Sequence, residues 1–278
     1  MYEAFYGLKE KPFSIQPDPD FLYFSRQHSY AYSMMEFGIK NRAGFIVVSG
    51  EIGCGKTTLI RFLLNNLPPN LSVGLVYNTH REIANLLEWI MLAIGLPYEG
   101  MSYVSRYDAF QRYLIAQYAS GKSVLLIIDE AQNLTPDALE SLRMLSNINA
   151  DKHQLLQIML VGQPQLKEML MHPDLVQFSQ RVEVDFHIKP FAAAEVQTYI
   201  QYRIEVAGRK SPLFTPEACA RIAEASNGIP RRINILCNTA LVYGFSAESE
   251  LIDRKLVEEV LSDKAEFGAL STPNKLQK

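Results

Sequence analysis

Three features of the sequence predict an α/β fold, a parallel sheet flanked by helices, followed by a small all-helical domain. Uninterrupted apolar runs, above all residues 45–49 and 124–128, suit strands buried on both faces. These runs alternate with stretches of helical periodicity, the pattern of a sheet whose connections cross over its faces. After Pro190 the strand patterns stop and only helical ones follow.

The elements read in order as follows. Residues 1–41 are rich in aromatics and prolines (Phe5, Pro12, Phe13, Pro17, Pro19, Phe21, Tyr23, Phe24) and predict an irregular arm packed on the core, with a turn at Pro17-Asp18-Pro19-Asp20 and a helix from about Arg26. The core domain spans 42–190. Its strands fall at 45–49, 73–78, 124–128, 155–161 and 182–188, the last showing alternation through Val182, Val184, Phe186 and Ile188. Helices follow Lys56, begin near Arg81, and cover about 107–118. Thr135-Pro136-Asp137 supplies a capping hydroxyl, a proline at the first helical position and an acid in the first turn. The helical domain, 191–263, holds helices at about 193–207, from Thr215-Pro216-Glu217 to 226, at 231–243, and from a capping Asp253 to about 262. Residues 264–278 read as a polar, flexible tail.

At 278 residues, 48% hydrophobic and 21% charged, the composition is that of a soluble globular protein with room for two domains. A net charge of −3 gives no overall attraction to nucleic acid or anionic membrane, so either would need a local basic patch. Cys54, Cys219 and Cys237 are too few and scattered for a disulfide framework or zinc site, which fits a reducing cytoplasm. The five histidines show no ligand spacing, so no protein-held metal site is expected. The amino terminus lacks the basic start and apolar stretch of a signal peptide. No apolar run approaches the roughly 18 residues of a membrane span. A cytoplasmic location follows, with any contact to the inner membrane made through a partner.

Gly50-Glu51-Ile52-Gly53-Cys54-Gly55-Lys56-Thr57, then Thr58, match the phosphate-loop pattern G-x-x-x-x-G-K-[ST] between a strand and a helix. Glycines allow successive backbone N–H groups to face one anion, and the helix adds its positive end. Lys56 would reach the β- and γ-phosphates and Thr57 would hold Mg²⁺. The run 124–128 ends in Asp129-Glu130, a Walker B pair in which Asp129 supports Mg²⁺ and Glu130 polarises the attacking water. That second acid points to hydrolysis, because a kinase's nucleophile is another substrate's oxygen. No N-K-x-D motif occurs, which favours adenine over guanine and hence ATP.

Gln163 follows the fourth strand, either as a sensor of the γ-phosphate or as a loop residue before Pro164. Asn78 is a candidate restraint on Glu130, and Thr79 a helix cap. Arg181, just before the last strand, and Arg231, after Gly228-Ile229-Pro230, are candidates to face γ-phosphate charge or are simply solvated. Cys54 is a reactive thiol or a small space-filling residue.

These motifs, with Phe5-Tyr6-Gly7-Leu8, Lys11-Pro12-Phe13-Ser14, Tyr77-Asn78-Thr79-His80-Arg81, Ile127-Ile128-Asp129-Glu130-Ala131-Gln132-Asn133, Leu142-Arg143-Met144-Leu145-Ser146-Asn147, Leu160-Val161-Gly162-Gln163-Pro164-Gln165-Leu166 and Gly228-Ile229-Pro230-Arg231-Arg232-Ile233-Asn234, extend over nearly the whole chain to about residue 263. The sequence resembles the ExeA/GspA-type secretion ATPases of the AAA+ superfamily, and most closely the shorter branch associated with exosortase and exopolysaccharide loci. The resemblance implies a five-stranded core, a helical lid and ATP bound between them at a subunit interface. It makes Gln163 the sensor-1 residue, Arg181 an arginine finger supplied in trans and Arg231 the lid's sensor 2. It also places the stretch from Tyr23 to His28 over the adenine. Longer relatives carry a membrane segment and a peptidoglycan-binding module after the ATPase, and the resemblance therefore carries no expectation of direct cell-wall binding over to this sequence. The implied activity is Mg²⁺-dependent ATP hydrolysis in a nucleotide-dependent oligomer that drives or gates assembly of an envelope secretion or exopolysaccharide export system. The alternatives are a TnsC-like, DNA-associated regulator of transposition, for which Lys40, Arg42, Arg231 and Arg232 offer basic residues, and a slowly hydrolysing scaffold.

Overall fold

The structure, a computed structural model, describes residues 1–77, 86–150 and 153–267. Asn78, Thr79, the helix start near Arg81 and positions 268–278 of the expected tail lie outside the described residues. The chain forms two compact units. A sheet unit contains Arg26–Ile52 and Leu59–Lys189; a helical unit contains Met1–Ser25, Gly53–Thr58 and the residues from Pro190 onward. The expected amino-terminal segment, 1–41, therefore divides at Ser25: the aromatic arm belongs to the helical unit and only the helix that follows belongs to the sheet unit.

In the sheet unit five parallel strands, β1 (Phe45–Gly50), β2 (Leu71–Val76), β3 (Ser123–Ile128), β4 (Leu156–Gly162) and β5 (Val182–Ile188), lie in the order β2-β3-β4-β1-β5. The interior strands are the apolar runs, broken in β4 by buried Gln157, because both of their faces are covered: all of β1 and β4, and all of β3 after Ser123, are buried. The edge strands β2 and β5 are only partly buried, and their sequences admit Ser72, Gly74, Glu183 and Asp185. Alternate residues feed one large core: Phe45, Val47, Val124, Leu126, Ile128, Leu156, Ile158 and Leu160 pack with α3 (Leu86–Ala93), α4 (Tyr103–Ala119), α5 (Pro136–Leu145) and α6 (Pro164–Leu170). Helix α1 (Arg26–Lys40) and helix α2 (Lys56–Asn65) meet through Tyr32 and Phe62, whose ring centroids are 5.5 Å apart. The expected cap of α5 is present, with Thr135 Oγ1 accepting from the Ala138 N–H at 3.2 Å. A short antiparallel pair, Asn149–Ala150 with His153–Gln154, and a single-turn helix α7 (Val176–Ser179) were not anticipated.

The helical unit has its own core. Helices α8 (Ala193–Val206), α9 (Pro216–Ser226), α10 (Pro230–Ser246) and α11 (Arg254–Phe267) bury Ile200, Ile204, Ile222, Ile233, Leu241 and Val257 together with Tyr2, Tyr6, Phe13 and Phe21 of the arm. Helix α11 continues to Phe267, past the expected end near residue 262, so the first four positions of the expected tail are helical. The arm is anchored by buried Arg203, 6% exposed, whose Nε donates to Pro12 O at 2.6 Å while its guanidinium lies 4.5 Å from the centre of the Phe21 ring. Asn234 Nδ2 adds a bond to Ser14 O at 3.1 Å. These long-range bonds satisfy the carbonyls of an irregular segment that has no ladder of its own.

One glycine holds the turn into α10. Gly228 has φ +68, its carbonyl accepts the Phe191 N–H at 2.9 Å, and a Cβ there would lie 2.1 Å from Phe191 O. Gly228→Ala should therefore force the two backbones apart and cost at least about 2 kcal/mol in urea unfolding of the whole chain. An unchanged midpoint would show that this turn does not hold the unit together.

Candidate functional site

The expected site residues divide between the units. Gly53–Thr58 and Arg231 belong to the helical unit; Gly50, Glu51, Ile52, Asp129, Glu130, Gln163 and Arg181 belong to the sheet unit.

In the helical unit the loop turns through Gly53 at φ +83 and Gly55 at φ +89, a backbone region that side-chain-bearing residues rarely adopt. Lys56 opens helix α2 and is 7% exposed, while Thr57 and Thr58 are half-buried. Two left-handed glycines leading into a helix amino terminus suit a polyphosphate, since backbone N–H groups are presented without side chains in the way. Arg231 packs directly on this loop: its N–H donates to Gly53 O at 3.2 Å, and a Cβ on Gly53 would lie 2.6 Å from its own Cβ. It is exposed and sits in the first turn of α10, delivered there by Gly228, Ile229 and Pro230. Cys54 is 1% exposed, which agrees with the space-filling reading.

In the sheet unit Gly50, Asp129 and Gln163 stand at the carboxyl ends of β1, β3 and β4, because the strands are parallel and β4 lies between the other two. Glu51 and Ile52 continue from β1 as exposed residues. Asp129 is 4% exposed, its backbone N–H bonds Val76 O at 3.0 Å, and its Oδ1 accepts the Glu130 N–H at 2.9 Å. Glu130 adopts φ 54, ψ 37, a left-handed conformation that costs a non-glycine residue about 1 kcal/mol or more. Its carboxylate accepts from Gln163 Nε2 at 3.1 Å and from Gln132 Nε2 at 2.6 Å. Gln163 is the N-cap of α6 but makes no side-chain capping bond; its amide is turned to Glu130 instead. Sequence reasoning assigned Gln132 no role. The only signal was its place in the run Asp129-Glu130-Ala131-Gln132.

Arg181 lies elsewhere. Val182 pairs with Phe45, the first residue of β1, whereas Gly50 pairs with Ile188. At about 3.3 Å per residue, roughly 17 Å of strand separate the Arg181 end of the sheet from Gly50. Its guanidinium is held by Asn147 Oδ1 and by Ser146 Oγ at 3.2 Å. Nearby, the Arg143 guanidinium bonded to Glu140 holds that carboxyl below its ordinary range, and Arg181 adds to the pull.

A hydroxyl from Thr57 and a carboxylate from Asp129 are hard oxygen donors of the kind Mg²⁺ takes alongside phosphate oxygens. Among the described residues no helix is long and apolar enough to cross a membrane.

A five-stranded parallel sheet in the order β2-β3-β4-β1-β5, a phosphate loop after β1 and an Asp-Glu pair after β3 define an AAA-type P-loop ATPase, and residues 39–170 match the family described as AAA domain. Two solved structures share the fold: CDC6P from Pyrobaculum aerophilum (TM-score 0.65, 17% identity, covering 84% of this chain and 68% of that one), and the Aeropyrum pernix ORC1 protein in complex with DNA (TM-score 0.64, 18% identity, 91% and 69%). At such identities the likeness concerns the fold alone. General secretion pathway protein A of Aeromonas hydrophila is 39% identical over 255 residues, which are 91% of this chain and 46% of that protein. The chain belongs to the ExeA/GspA-type AAA ATPase family, and it spans about half the length of that relative.

Proposed function

We propose that the protein binds ATP with Mg²⁺ and hydrolyses it as a nucleotide-dependent assembly of copies, energising or gating construction of an envelope secretion or exopolysaccharide export system. The observation that carries the reading is the Glu130 carboxylate at the end of β3, in contact with Gln163 at the end of β4. It is supported by the phosphate loop and by the similarity to a protein named for the general secretion pathway.

In this reading the amides of residues 50–58 and the Lys56 ammonium hold the phosphates, and Arg231 adds positive charge from beside Gly53. Thr57 and Asp129 would supply oxygen donors to Mg²⁺, which when bound would offset phosphate charge. Glu130 orients the attacking water, and Gln163 turns its amide toward the γ-phosphate. Arg181 serves a neighbouring copy's nucleotide, since its own end of the sheet is the wrong one. The location is cytoplasmic, with any attachment to the inner membrane made through an envelope partner.

Phosphate release by the purified chain, measured with Mg²⁺ and with chelator, together with its mass in a non-hydrolysable ATP analogue with and without duplex DNA, tests the proposal. Mg²⁺-dependent release and a mass increase that needs nucleotide but not DNA are expected. Absence of both refutes it, and assembly only on DNA at low salt would instead establish the DNA-associated regulator.

A further inference from the structure

Around Glu130 three hydrogen bonds close into a ring. Gln132 Nε2 donates to Glu130 Oε2 at 2.6 Å, and Gln163 Nε2 donates to the same oxygen at 3.1 Å. The backbone N–H of Gln163 donates to Gln132 Oε1 at 2.9 Å. One primary amide is thus used at both ends, joining the carboxylate that follows β3 to the first residue of the turn into α6. The local backbone is shaped for this. Glu130 is left-handed and Ala131–Asn133 make one tight helical turn, so the side chain two positions on comes back to the carboxylate. Opposite, β4 ends in glycine: a Cβ on Gly162 would lie 2.8 Å from Gln132 Oε1 and 2.9 Å from Leu166 Cδ2, so any other residue would crowd the amide from its seat.

We infer that Gln132 is a positioning residue for the hydrolytic step. It holds the Glu130 carboxylate in one orientation and ties it to the backbone that carries Gln163. The inference rests on the ATPase reading above and adds to it a residue that touches neither nucleotide nor metal. A glutamate carboxylate turns about three side-chain bonds. Without a brace, the part of that freedom lost on orienting water is lost in the transition state, and a displacement of about 1 Å there can cost on the order of 10²-fold in rate. Gln163 cannot supply the brace alone, because its Nε2 is the group that must turn to the γ-phosphate. Gln132 can keep its hold on Oε2 while Gln163 turns, since its own anchor is the Gln163 backbone and not the side chain.

Two substitutions in the full chain test this. Gln132→Met keeps the side chain's length and removes both bonds; Gln132→Glu keeps an acceptor for the Gln163 N–H but sets a negative charge against Glu130. Both should lower kcat for ATP at least about tenfold, with Gln132→Glu the lower, while KM and the Kd of a fluorescent ATP analogue stay within about twofold. In a Gln163→Ala background Gln132→Met should still lower kcat by a similar factor, because the Gln163 backbone N–H that anchors Gln132 is kept there. The retained analogue affinity shows that the variants are folded. Unchanged or raised kcat, affinity lost in step with kcat, or no cost of Gln132→Met once Gln163 is alanine would overturn the role of Gln132. A wild-type chain that releases no phosphate would instead refute the ATPase reading itself.

Discussion

Lys56→Ala should weaken ATP binding by about 10²–10⁴-fold. Lys56 is 7% exposed at the start of α2, in a chain segment turned by Gly53 and Gly55. Its ammonium is the charge proposed to compensate the phosphates, and removing one member of a buried ion pair costs about 3–5 kcal/mol because the other is left desolvated and unpaired. A fluorescent ATP analogue titrated into wild type and variant reads the effect directly. The loop amides remain in the variant, so weak residual binding is expected and total loss is not required. Affinities within threefold of one another would mean that the triphosphate is not held where the loop predicts.

The second large effect concerns Arg181, and it separates catalysis in one copy from catalysis between copies. Arg181→Ala should reduce turnover by about 10³–10⁵-fold, the range an arginine facing γ-phosphate charge can supply. The register of β5 on β1 sets Arg181 at the amino-terminal end of the sheet, while Gly50, Asp129 and Gln163 are at the carboxyl end. The loss should therefore be repaired in trans. A mixture of Arg181→Ala and Glu130→Gln chains, each inactive alone, contains interfaces in which one copy's intact Glu130 meets the other's intact Arg181. Activity returning on mixing, to a substantial fraction of wild type, is the expected result. A mixture as inactive as its components would make Arg181 a structural residue, held to Ser146 and Asn147 for the stability of the α5 end.

Much of the sheet was legible because its chemistry is local. Strands β1, β3 and β4 are buried on both faces, so their apolar runs could serve no other element, and β5 showed its half-buried state by alternation. Strand β2 was expected at 73–78 but occupies Leu71–Val76; as an edge strand carrying Ser72 and Gly74 it has a weaker apolar signature to mark its ends. The end of α11 was missed because Lys264, Ala265 and Glu266 are good helix formers whose polarity reads as tail. What the sequence hid was long-range. Nothing near Pro12 or Ser14 announces that Arg203 and Asn234 will take their carbonyls, yet those bonds assign the arm to the helical unit. The site divides in the same way. The phosphate loop and the Asp129-Glu130 pair are contiguous patterns, whereas the contact of Arg231 with Gly53 and the ring through Gln132 depend on backbone turns at Gly228 and Glu130.

Glu130 at the end of β3 carries the claim that this protein spends ATP as well as holding it. Acid quenching of Glu130→Gln chains after incubation with Mg²⁺ and labelled ATP, followed by separation of the bound nucleotide, tests that claim most directly. Wild type should yield mostly ADP and phosphate, while the variant retains intact ATP with affinity close to wild type and turnover lower by at least about 10²-fold. Equal rates of ADP formation in the two proteins would contradict it.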